Sequence, residues 1–125
     1  MIDVSYEKLY RAIYPTLPAD WQRVVIRAAF GDGNSSIKYY VQQHDGEYCD
    51  CFELVTDQAA VLEIIANLHF SIVATRNSLA DKNRWSAITV SIESDGSFHS
   101  DFDYTEKDWT AVETVNEWER KYLID

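Results

Sequence analysis

Residues 83–123, NRWSAITVSIESDGSFHSDFDYTEKDWTAVETVNEWERKYL, decide the fold. Ile88, Val90 and Ile92 alternate with Thr89, Ser91 and Glu93, the period-2 pattern of a half-buried strand. Asp95-Gly96 predicts a tight type I′ turn, which needs positive φ at both central residues. The return strand places Phe98, Ser100, Phe102 and Tyr104 on one face and His99, Asp101 and Asp103 on the other. With Glu93, that second face is acidic and carries no Lys or Arg of its own. Thr105 is then expected to cap a last helix whose buried side is Val112, Val115, Trp118, Tyr122 and Leu123.

Working back from this unit, strands are predicted at about 22–30, 36–43 and 47–54, the last two joined by a turn at His44-Asp45-Gly46. A helix over about Ser5–Tyr14, capped by Asp3 or Ser5, carries Tyr6, Leu9, Tyr10 and Ile13 on one stripe and ends at Pro15. A long helix from Asp57 to about Leu79, capped by Thr56, repeats Val61, Leu62, Ile65, Leu68 and Ile72 at helical spacing. A polar linker, residues 80–83, leads back to the hairpin. The order is α-β-β-β-α-β-β-α. Short connections within the strand pairs call for antiparallel pairing. The expected fold is therefore α+β, a single domain over residues 1–125 with a mostly antiparallel sheet covered by helices on one face. The tryptophans 21, 85, 109 and 118, with Tyr104 and Tyr122, are expected in the core. Tyr39 and Tyr40 must face opposite ways, so one of them is a contact residue or lies under a helix.

Charge narrows the partners. Twenty-one acids against eleven bases give a net charge of −10. No Lys or Arg occurs from Tyr39 to Thr75. Such a field repels nucleic-acid phosphate and anionic lipid, and it speeds encounter with a basic protein. No run of about 18 or more apolar residues occurs, so no membrane span is expected. The N-terminus lacks the basic and apolar regions of a secretory signal, which predicts a cytoplasmic protein.

Catalytic motifs are missing: there is no Walker loop, dinucleotide fingerprint, HExxH or GxSxG. Cys49 and Cys51, the only cysteines, would share one strand face, where a bridge would be strained. With His44 and His69 they lack the paired spacing of zinc sites, so neither metal nor cofactor is assigned. A nucleophile–base pair of His99 with Ser100 or Cys49 is the enzymatic alternative, a small hydrolase or metal-dependent enzyme. An acidic adaptor domain is a second alternative.

Three segments together resemble the YezG-like immunity proteins (antitoxins) of bacterial polymorphic-toxin and contact-dependent-inhibition systems. They are Leu17-Pro-Ala-Asp-Trp21 leading towards Tyr39-Tyr40, the hairpin from Trp85 through Asp95-Gly96-x-Phe98 to Phe102-Asp103-Tyr104, and Trp118-Glu119-x-x-Tyr122-Leu123. Trp21, Trp85, Gly96, Tyr104, Trp118 and Tyr122 carry the likeness. The resemblance implies a cytoplasmic, non-catalytic protein that binds a toxin's C-terminal domain, often a nuclease, and blocks its active site or substrate surface. It supplies no contact residues. Charge supplies those: a nuclease presents a basic groove that an acidic protein can occupy. Glu93, Asp95, Asp101, Asp103 and Glu106 form one expected contact surface. Asp45, Glu47, Asp50 and Glu53 form another, with Tyr40 as an anchor.

Overall fold

A computed structural model describes residues 6–31, 34–79, 85–105, 107–109 and 111–123. Helix α1 (Tyr6–Ile13) closes in a 3₁₀ turn over Tyr14–Thr16, and strands β1 (Arg23–Gly31), β2 (Asn34–Gln42) and β3 (Tyr48–Asp50) follow. Short helix α2 (Cys51–Leu54) and long helix α3 (Gln58–Asn77) lead to β4 (Ala87–Glu93), β5 (Phe98–Asp103) and α4 (Val112–Tyr122). The five strands form one antiparallel sheet ordered β3-β2-β1-β4-β5. The class and the order of the main elements are those expected; the 3₁₀ turn and α2 are additions.

One sheet face builds the main core. Val24, Ile26, Ala28, Ile37, Tyr39, Val41, Ile88 and Val90 are buried there with Leu9 and Ile13 of α1 and Val61, Leu68 and Ile72 of α3. Leu62, one residue out of step with that stripe, is exposed, as is Phe70 at 79%. Among the described residues α3 is the one helix long and apolar enough to cross a membrane, with mean hydropathy 1.4 over 18 residues. Glu63, Asn67 and His69 interrupt it as a continuous apolar run.

The other face is not left to solvent, which corrects the expectation of helices on one face only. Helix α4 packs there through Trp118, which is buried with Val25 and Tyr40. The reason lies in β1, which is apolar on both sides: Val25 and Ala29 are as buried as Val24 and Ile26. Trp118 donates its indole N–H to Thr89 at 2.9 Å, and its ring centroid lies 5.3 Å from that of Tyr40. Arg27, 6% exposed, is held beneath α4 with its guanidinium 5.0 Å from the Trp118 ring and 5.8 Å from that of Trp109. Its Nε and Nη1 have no hydrogen-bond partner among the described residues, and cation–π attraction to the two rings helps offset its desolvation.

Several local expectations are revised. Among the described residues only Gly46 and Gly96 have positive φ, so Asp95-Gly96 is not a type I′ turn. Instead Gly96 N–H donates to Glu93 O at 3.0 Å and Glu93 N–H donates to Ser97 O at 2.8 Å, a type I turn closed by a left-handed glycine. The 43–47 turn repeats this pattern, with Gly46 N–H to Gln43 O at 2.9 Å and Gln43 N–H to Glu47 O at 2.9 Å. The third strand stops at Asp50 because its carboxylate caps α2, accepting from the amides of Phe52 and Glu53. Cys49 and Cys51 consequently do not share a strand face. Asp57, not Thr56, caps α3. Helix α4 starts at Val112 without a side-chain cap, and the Thr105 amide is instead held by Asp103. Val112 and Tyr104 are exposed rather than buried. Asp3, Ser5 and the 80–83 linker lie outside the described residues.

Candidate functional site

Because β1 runs antiparallel to both β2 and β4, the residues that enter β1 meet the exits of both neighbours. Gln22 makes the junction. Its N–H donates to Gln42 O at 2.8 Å, its carbonyl accepts from Ser94 N–H at 2.9 Å, and its side-chain amide donates to His44 O at 3.1 Å. The β2–β3 and β4–β5 turns, which the sequence reading assigned to two separate surfaces, therefore stand at one end of the sheet.

Exposed acids collect at that end: Asp20, Asp45, Glu47 and Asp95. The turns position two of them. Asp45 accepts from the Glu47 amide at 2.9 Å. Asp95 accepts from the Ser97 hydroxyl at 2.7 Å and from its amide at 2.9 Å, and these bonds, the hydroxyl's first, lower its pKa. Asp20 lies 3.0 Å from His44 Nδ1. The sequence reading missed Asp20, although its place in the turn just before β1 puts it at this end once the strand order is known.

Four of the other expected contact acids, Glu93, Asp101, Asp103 and Asp50, are engaged by partners within the fold. Glu93 accepts from Arg23 Nε at 2.7 Å, and Arg23 Nη1 donates to Tyr48 at 3.2 Å, a bridge across β1 from β3 to β4. Burial opposes charge on Arg23, but the bonds to Glu93 and Tyr48 outweigh it and raise its pKa. Asp101 and Asp103 stand beside α4 and remain partly exposed, their side chains 43% and 31% accessible. Asp101 accepts from the Tyr122 hydroxyl and lies 3.9 Å from Lys121 Nζ. Asp103 pairs with Lys107 at 3.0 Å. With Trp109 and Trp118 they line a groove of about 180 Å³ between α4 and the sheet. The face that lacked cations within the hairpin thus receives them from Arg23, Lys107 and Lys121. Burial, then the Asp101 carboxylate, raises the Tyr122 phenol well above its ordinary value.

Asp50 is likewise committed, as the α2 cap and as the partner of Lys38 at 3.2 Å. Burial would raise its pKa; the Glu53 amide and the Lys38 ammonium more than offset that and lower it. Glu53 is exposed on α2. Tyr40 is 4% exposed beneath Trp118, so its ring is not at the surface to anchor a partner. Glu106 lies outside the described residues.

The enzymatic alternative finds no assembled pair. His99 is exposed on one face of β5, and Ser100 points the other way to a hydrogen bond with Tyr6. Cys49 lies on β3, at the far edge of the sheet from β5. Burial raises both thiol pKa values, which disfavours the nucleophilic thiolate. No cluster of three His, Cys, Asp or Glu side chains able to hold a metal occurs among the described residues.

A family model described as "Immunity protein YezG-like" matches residues 2–124, nearly the whole chain. The chain belongs to the YezG-like immunity protein family. No curated protein matches it. Membership in the YezG-like family supports an immunity function and implies a cognate toxin as the binding partner. It also suggests a role in binding rather than catalysis. For a YezG-like protein the relevant chemistry is then that of a protein-binding surface. The acidic end of the sheet has the side-chain exposure such a surface needs.

Proposed function

We propose that this immunity protein neutralises a toxin domain with a basic substrate groove, a nuclease, by docking the acidic end of its sheet into that groove. The observation that carries the reading is the gathering of Asp45, Glu47 and Asp95 on two glycine-closed turns joined through Gln22, with Asp20 in the turn just before β1 at the same end. Nucleases bind a polyanion and so present Lys and Arg in a cleft. Carboxylates held on rigid turns can pair with those cations with little further ordering cost. The net charge of −10 would steer the encounter and disfavour nucleic acid as a competing ligand. The site of action is the cytoplasm of the cell that carries the protein, where a delivered nuclease meets its substrate.

The test is co-purification and calorimetry with the C-terminal domain of the toxin encoded in the same genomic neighbourhood. The double variant D45K/D95K should bind at least tenfold more weakly, with a shallower dependence on salt. Unchanged affinity and unchanged salt dependence would remove this end of the sheet from the interface.

A further inference from the structure

On the α1 side of the same end lies an open groove of about 240 Å³ whose walls are aromatic. Tyr6 stacks on Phe98 with ring centroids 3.9 Å apart, and Tyr10 lies 6.3 Å from Trp21. Phe98 sits on a strand yet is 55% exposed. Glu7 and Glu93 are the charged residues among those lining the groove and no base is among them, but the Glu93 side chain is turned to the opposite sheet face, where Arg23 holds it, so Glu7 supplies the groove's carboxylate. Aromatic faces beside a carboxylate suit a flat cation, because the ring quadrupoles and the acid attract the same charge. A purely aliphatic guest would gain nothing from the acid. Among the described residues Glu7 is engaged by Arg11 one helical turn away, an exposed pair of the kind that contributes little and exchanges readily.

We propose that this groove receives an arginine side chain from the partner's surface, its guanidinium against the Tyr6, Trp21 and Phe98 rings and within reach of Glu7. The inference rests on the reading above that the partner is a basic toxin domain, and it adds a specificity pocket beside the acidic turns. The guanidinium's flatness matches stacked rings better than a lysine ammonium does.

The test uses the whole protein without toxin. N-acetyl-arginine methylamide is titrated into labelled protein, and the Trp21 indole and the Tyr6 and Phe98 ring resonances are followed by NMR. The expected result is saturable shifts in the millimolar range, at least fivefold weaker for the uncharged, near-isosteric citrulline derivative and lost in Phe98→Ser. Glu7→Gln should weaken binding about threefold, which provides a second readout with the aromatic walls intact. Absence of shifts, or equal shifts with the citrulline and leucine derivatives, would overturn the proposal. If arginine binds but no toxin co-purifies, the groove stands and the toxin reading fails. If toxin binds with undiminished affinity to Phe98→Ser, the groove is not part of the interface and the proposal falls.

Discussion

Trp118 of α4 and Thr89 of β4 are joined by a buried hydrogen bond of 2.9 Å, which fastens the last helix to the sheet face opposite α1 and α3. This contact turns a two-layer domain into a three-layer one. Trp118→Ala should therefore cost about 3–5 kcal/mol, the range for removing a buried aromatic. Thr89→Val, which keeps the shape but strands the indole N–H, should cost about 1–3 kcal/mol. Urea unfolding of the two variants measures both. A loss below 1 kcal/mol for Trp118→Ala would mean that α4 is not docked.

Arg27 makes the reverse prediction. A buried guanidinium near Trp109 and Trp118, two of whose nitrogens have no hydrogen-bond partner among the described residues, carries a desolvation cost that a thioether would not. Arg27→Met should leave the protein as stable as the parent or more so by about 1 kcal/mol, since replacing buried charge with well-packed apolar groups is often neutral or better. Thermal denaturation decides it, and a large fall in Tm would show that the charge is needed.

Asp50 ties stability to pH. Its pKa is lowered in the folded protein, so its contribution is complete above the unfolded value of about 3.9 and is lost as pH falls through the lower folded value. Asp50→Asn should flatten that part of the acid-unfolding curve. Asp50→Ala should also cost about 0.5–2 kcal/mol at neutral pH through the lost α2 cap. Chemical denaturation between pH 2 and 7 tests both parts.

Gly96 has φ +93° and nothing within 4 Å of where a Cβ would stand. The cost of Gly96→Ala is thus conformational, about 1–2 kcal/mol for an L-residue held left-handed, with no steric clash added. Equilibrium unfolding should show it, and a neutral result would mean that the turn re-forms in another geometry.

The acids separate by role. Asp101→Asn with Asp103→Asn removes partners of Tyr122, Lys121 and Lys107, so it should lower stability while leaving toxin affinity within about twofold. D45K/D95K should do the opposite. Paired unfolding and calorimetry on the two double variants check the division, and a reversal would place the toxin against α4.

The class, the element order and most of the main core were legible in the sequence because they follow from local periodicity. Val24, Ile26 and Ala28 on β1 and Val61, Leu68 and Ile72 on α3 declare their buried faces through spacing alone. The two hairpins were legible from Asp-Gly turns, although the turn type was not, because a type I turn closed by a bulge glycine needs one positive φ where type I′ needs two, and Asp-Gly suits both. Family resemblance was readable for the same reason: it lies in scaffold residues such as Trp85, Trp118 and Gly96.

What the sequence could not determine is which acids face outward. Asp101 and Asp103 look like an uncompensated acidic face within the hairpin; Lys107 pairs with Asp103 four residues on, and only the docking of α4 supplies Lys121 and Tyr122 to Asp101. Tyr40 looks like a surface anchor until the same helix covers it. Conversely, Asp45 and Asp95 are 50 positions apart in the chain and share one end of the sheet only because β1 lies between β2 and β4. Periodicity is a property of neighbours along the chain. Exposure and charge compensation depend on long-range packing, so the tertiary structure alone decided where this protein presents its acids.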